Sequence, residues 1–205
     1  TRDRIVRAAA DLMFRHGAAG TSTPAVRDAA GVSSSQIYHY FADKEALTRA
    51  VIKHQTETIL NNQSTQLSQL DSFEALRAWR DVILQTERNL ECVGGCPLGS
   101  LSSELSEHDP SARQALANSF AQWSGAIRDG LRHMIDQGVL RDDADPEKLS
   151  LAMLAALQGG LLLAQAQRSA AALEAALDVM IEGIRHHAVL PTTSTPGEMQ
   201  EGHLR

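Results

Sequence analysis

The feature that most constrains this chain is a glycine between two segments too short to stand as helices alone. Ser22 and Thr23 can each cap the first segment, and Pro24 fits its first turn. Gly31 stops that helix near Ala30. Ser33 then stands where a cap for the next segment, Ser34 to Tyr40, is needed. Helices of about two turns do not persist in water without packing. Both must therefore lie on a larger partner. The stretch before them supplies it, because Ile5, Ala8, Ala9, Leu12 and Met13 recur at helical spacing as one apolar stripe. Gly17 should end that first helix, with Ala18 to Gly20 as a loop. Ile37 and Phe41, four residues apart, should face inward onto it. Two short helices joined by a tight glycine turn form a helix-turn-helix.

Charge is divided unevenly along the chain. The net charge of the 205 residues is −6. Residues 1 to 53 hold eight Lys/Arg against five Asp/Glu, a net +3, and the remainder is −9. A basic head on an acidic body suits contact with a polyanion through the head alone. Double-stranded DNA is the expected partner. Ser34, Ser35 and Gln36 open the second short helix, where small polar side chains can reach base edges in a major groove. Gln36 could pair with adenine through two hydrogen bonds. Tyr38, His39 and Tyr40 offer donors to phosphates, and Lys44 adds a charge at the start of the next helix.

These residues resemble the tetracycline-repressor (TetR) family of bacterial regulators. The resemblance runs from about residue 5 to 52. It is carried by Thr21-Ser22, Val26, Ala29 to Ser33, Ile37 to Phe41 and Asp43 to Leu47. It implies a three-helix DNA-binding domain, a divergent helical ligand domain, and a homodimer that represses transcription at a pseudo-palindromic operator. The positions matching the family's DNA contacts are Thr23, Ser34, Ser35, Gln36, Tyr38, His39 and Lys44. Ala25 and Ala29 are smaller than the family's usual residues there.

The rest of the chain also reads as helices. One runs from Lys44 towards Gln69, ending or bending in the polar stretch from Gln63. Others span Ser72 to the Cys92-Val93-Gly94-Gly95 break, Pro97 to Glu107, Pro110 to Gln137, Pro146 to Gln167 and Ala170 to His187. Few aromatics (4%) and recurrent Ala and Leu agree with an all-α fold of about nine helices. The expected division is a DNA-binding domain at 1–52, a ligand-binding and dimerisation domain at 53–190, and a disordered tail at 191–205. Two cysteines exclude a disulfide framework, and no apolar run of about 18 residues marks a membrane span. A cytoplasmic protein without membrane contact is expected.

The run Gly95-Cys96-Pro97-Leu98-Gly99-Ser100-Leu101 resembles the LmrA/YxaF-like ligand domains of the same family, which respond to aromatic or drug-like molecules. Cys96, before Pro97, should sit at a helix N-cap, where the dipole favours a thiolate. Three roles for the cysteines stay open. They are small core residues, an electrophile- or redox-sensing thiol at Cys96, or weak metal ligands with His108. A small-molecule pocket is the leading expectation. Trp79, Ile83, Leu101, Phe120, Trp123, Ile127 and Leu154 would wall it with Cys96. Arg80, Glu104, His108 and Gln158 would orient the ligand. Leu149, Met153, Leu157, Leu161 and Leu162 on one helix should meet the partner chain. Leu173, Leu177, Met180, Ile181 and Ile184 on the next should do the same, with Ala156, Gly159 and Gly160 permitting close approach, and part of each face must also serve this chain's own core. No cofactor or structural metal is implied. A small-molecule-converting enzyme would need motifs that are missing here: a nucleotide loop, a zinc-peptidase helix or a Gly-x-Ser-x-Gly turn. An architectural protein binding any DNA is the remaining alternative.

Overall fold

A computed structural model describes residues 1–189, so the expected tail at 191–205 lies outside the described residues. Ten α-helices follow in order: α1 (Arg2–Gly20), α2 (Thr23–Ala30), α3 (Ser34–Tyr40), α4 (Lys44–Asn62), α5 (Ser64–Ser68), α6 (Phe73–Asn89), α7 (Pro97–Leu105), α8 (Pro110–Asp136), α9 (Pro146–Gln167) and α10 (Ala171–Arg185). Among the described residues the one β-type pairing is an isolated bridge between Leu140 and Ala188.

The head forms as its capping pattern dictates. Ser22 Oγ accepts from Ala25 N–H, and Gly31 takes the left-handed conformation (φ 60°, ψ 47°) that ends α2. Ile5, Val6, Ala9, Ala10 and Met13 of α1 are buried under Val26, Ala30, Ile37, Phe41 and Leu47. The end of α1 departs from expectation. Gly17 leaves helical geometry (φ 74°, ψ 165°), but one further turn follows instead of a loop. Glu104 of α7 holds that turn, accepting from Ala18 N–H at 2.8 Å and Ala19 N–H at 2.5 Å. A carboxylate from the body thus caps a helical turn of the head.

α4 runs out of the head into the body, packing on α1 at one end and on α8 further along. It stops at Asn62, and the polar stretch that follows forms the separate short α5, which accounts for ten helices instead of nine. Gln63 sits at the break. Its Oε1 accepts from Trp79 Nε1–H at 2.9 Å and Trp123 Nε1–H at 3.2 Å, tying α4, α6 and α8 together. Trp79, Leu84, Ile127, Leu131 and Met134 fill the body's interior. α9 has the length and apolar character of a membrane-crossing helix. It nevertheless packs between α8 and α10, with Met153, Leu157, Leu161 and Ala164 buried. Any side chain at Gly160 would strike Leu173, so that glycine serves the α9–α10 packing inside one chain. Arg80 binds Asp81, Glu174 and Asp178, fastening α6 to α10.

Candidate functional site

Two surfaces carry the chemistry, one at the tip of the head and one inside the body. At the tip, Ser34, Ser35, Gln36, Tyr38, His39 and Tyr40 of α3 are all exposed, and Thr23 at the start of α2 is half-buried. Ile37 and Phe41 are buried as expected and anchor α3 to the head's core. The rings of His39 and Tyr40 meet edge to face at 4.9 Å. Lys44 is exposed at the first position of α4, and among the described residues it makes no ion pair. Asp43 caps that helix by accepting from Ala46 N–H at 2.6 Å, so the N-terminus is less open to a phosphate than Lys44 alone implies.

Gln36 has a second duty that the sequence reading overlooked. Its Oε1 accepts from Ser33 N–H at 2.8 Å while Ser33 Oγ accepts from Gln36 N–H at 3.2 Å. This reciprocal capping box fixes the start of α3. The amide oxygen is therefore engaged and the NH₂ is free. The two-bond adenine contact expected of Gln36 would use the second lone pair of that oxygen together with the NH₂.

Inside the body a cavity of about 250 Å³ lies between α4, α6, α8, α9 and the loop leading into α7. It brings together Ile83, Cys96 and Trp123 of the expected ligand set. Gln55, Thr58 and Ile59 of α4 and Phe14 of α1 also line it, so both helices that carry the head touch the same space. Phe14 seats against Gly94 (φ +95°), where any side chain would overlap the ring.

The other expected ligand residues lie elsewhere. Phe120, Leu154 and Gln158 line an open surface groove between α7, α8 and α9. Trp79 and Ile127 are sealed in the solid core, and Leu101 faces a small cleft against α1. Glu104 is committed to Ala18 and Ala19, Arg80 to its three carboxylates, and His108 is exposed in the turn after α7. These placements correct the expected pocket, because a helix stripe does not say which neighbour covers it.

Cys96 is likewise corrected. It does occupy the N-cap of α7, but burial pushes its thiol up from the ordinary value, the opposite of the expected activation. Backbone groups of Gly99 and Leu98 and the Gln158 side chain offset only part of that burial effect. Cys92 and Cys96 are both free and buried. Among the described residues no three His, Cys, Asp or Glu side chains cluster as a metal site, so Cys92, Cys96 and His108 do not form one.

The expected partner-facing set also turns inward. Met153, Leu157, Leu161, Leu177, Ile181 and Ile184 are buried within this chain, and Met180 is half-buried. The apolar side chains left outside are Leu151, Leu162 and Leu163 on α9 and Val179 on α10, with Leu162 at 66% and Val179 at 71% exposure. Gly159 and Gly183 have open space beside them.

A helix-turn-helix head joined by a long helix to a hollow helical body defines a DNA-binding regulator of the effector-responsive class. The family description for bacterial regulatory proteins of the tetR family matches residues 5–51, and that for the tetracyclin repressor-like C-terminal domain matches residues 72–180. The chain belongs to the TetR family. It is similar to an HTH-type transcriptional regulator of the lacX 3′ region of Lactococcus lactis subsp. lactis, 28% identical over 188 residues covering 88% of this chain and 91% of the relative. It is also similar to the HTH-type transcriptional repressor DhaR of Mycobacterium sp. (strain GP1), 25% identical over 192 residues covering 94% and 93%. Among solved structures, a TetR transcriptional regulator from Chloroflexus aurantiacus superposes with a TM-score of 0.77 at 26% identity, covering 91% of this chain and 95% of the other. Regulators of this family generally bind DNA as dimers, respond to small molecules and are typically not enzymes.

Proposed function

We propose that this protein is a dimeric repressor released from a pseudo-palindromic operator by a small hydrophobic or aromatic molecule bound in the 250 Å³ cavity. The observation that carries this reading is that Phe14 of α1 and Gln55, Thr58 and Ile59 of α4 line the same cavity as the body's Ile83, Trp123, Leu157 and Leu161. A molecule that fills the space must be accommodated by helices that aim the head. Its effect on DNA cannot exceed its difference in affinity for the two head positions. Cys96 contributes a small apolar surface to the wall, and its run into Leu101 supports an LmrA/YxaF-like ligand domain.

On DNA, Ser34, Ser35 and the free NH₂ of Gln36 read base edges, while Thr23, Tyr38, His39, Tyr40 and Lys44 hold the backbone. The dimer forms through the outward faces of α9 and α10, centred on Leu162 and Val179, whose exposure leaves an apolar strip with small residues beside it. The protein works in the cytoplasm, where its DNA is. Residues 1–52 act as the reader and 53–190 as the sensor and dimeriser.

The test fills the cavity without touching the DNA face. Ile59→Trp should keep operator affinity within about twofold and abolish release by any compound that acts on the parent protein. Fluorescence anisotropy of labelled operator reads both. An Ile59→Trp protein released as readily as the parent would place the effector elsewhere.

A further inference from the structure

We propose that the cavity takes a small arylalkylamine, one ring on a short aminoalkyl chain, held as its ammonium cation by Glu87. This rests on reading the cavity as the effector site. Glu87 follows Ile83 by one turn of α6, lines the cavity, and is only 7% exposed. Among the described residues nothing donates a hydrogen bond to its carboxylate and no cation pairs with it, and its Oε2 is buried without a partner. A buried carboxylate left alone is costly, and natural interiors pair such groups. Here the partner is absent from the protein and the carboxylate borders an empty space large enough for a ligand.

The other lining groups leave little choice of chemistry. Gln63 Oε1 is already taken by the two tryptophan N–H groups. Gln55, Thr58, Asn62 and Thr86 are neutral, and Cys96 is the only other titratable lining side chain. An anionic ligand would face Glu87 with no compensating cation. A hydrocarbon would leave the carboxylate as unpaired as before. An ammonium supplies both the charge and the donors. Phe14 and Trp123 give aromatic walls for a ring and a cation to pack on. The 250 Å³ volume lies just under the roughly 300–1,000 Å³ usual for drug-sized ligands, which suits one ring on a short chain. Burial also pushes the Glu87 carboxyl above its ordinary value. Where the empty site holds a proton, binding the ammonium sends that proton to solvent and leaves an ion pair.

Titration calorimetry on the full chain at neutral pH tests this with three probes of nearly equal shape: phenethylamine, 2-phenylethanol and 3-phenylpropanoate. The amine should bind about tenfold or more tighter than the alcohol, and the carboxylate should be weakest. Glu87→Gln should bring the amine down to the alcohol's level and leave the alcohol unchanged. The amine-to-alcohol ratio on the parent protein needs no variant, so it decides the matter even if Glu87→Gln does not fold. An alcohol that binds as tightly as the amine, or a Glu87→Gln protein that keeps the preference, overturns the amine and leaves the effector cavity standing. If none of the three binds at millimolar concentration, the cavity reading falls and the amine with it.

Discussion

At the scale of single residues, Gln36 joins a structural role in the capping box of α3 to a proposed role in reading DNA. Its oxygen completes the capping box of α3 while the residue stays exposed at the helix start. Two variants separate the roles. Gln36→Ala removes the acceptor and should lower the head's stability by about 1 kcal/mol as well as weaken DNA binding. Gln36→Glu keeps the acceptor but sets a negative charge on the DNA face. It should melt like the parent and still lose most operator affinity. If Gln36→Glu binds operator as the parent does, α3 is not the reading helix. Glu87 makes a second prediction, in stability alone. Its carboxyl is raised by burial, so the folded chain keeps its proton where the unfolded chain has released it. Stability must then fall as pH rises from the unfolded carboxyl range, about 4.3, through the higher folded value. Glu87→Gln removes that loss. It should be more stable than the parent at pH 7, with the gap narrowing as pH falls towards 4. Thermal melts at the two pH values check this. A Glu87→Gln protein less stable than the parent at both would show that the carboxylate is not stranded.

At the scale of elements, start and stop signals were legible and covered faces were not. Ser22, Ser33, Asp43, Ser72, Asp109 and Asp145 all cap helices where short polar residues precede apolar periods. Capping is local chemistry, so the sequence displays it. Which stripe faces a partner depends on neighbours hundreds of atoms away. α9 is apolar on nearly every face, and its register against α8 and α10 alone decides that Leu157 is buried while Leu162 is exposed. Glu87 did leave a signal. It continues the buried stripe of Leu76, Trp79 and Ile83 at helical spacing, an acid where an apolar residue is due. Gln63, in a uniformly polar stretch, left none. The Glu104 link was also invisible, because its partners are backbone amides 85 and 86 residues away. Glu104→Ala should uncap the last turn of α1 and accelerate hydrogen exchange at Ala18 and Ala19, at a cost on the order of 1 kcal/mol. Unchanged exchange at both amides would mean that the carboxylate does not hold the turn in solution.

At the scale of the whole molecule, the charge split and the architecture agree. Residues 1 to 53, which build the head and the first turns of α4, carry +3, and residues 54 to 205 carry −9. Lys44 and the hydroxyls of α3 lie at the far tip, while the cavity sits where α1 and α4 enter the body. The cavity is lined from both α1, which carries the core of the head, and α4, which begins at Lys44. The proposed dimer would present two heads at once. Selection of bound sequences from a random DNA pool therefore tests the central claim most directly. The full chain should enrich an inverted repeat whose half-site centres lie about 34–36 Å apart or a multiple of that. Recovery of a pool no different from the starting one, at salt where the protein still binds DNA, would contradict a sequence-specific dimeric regulator.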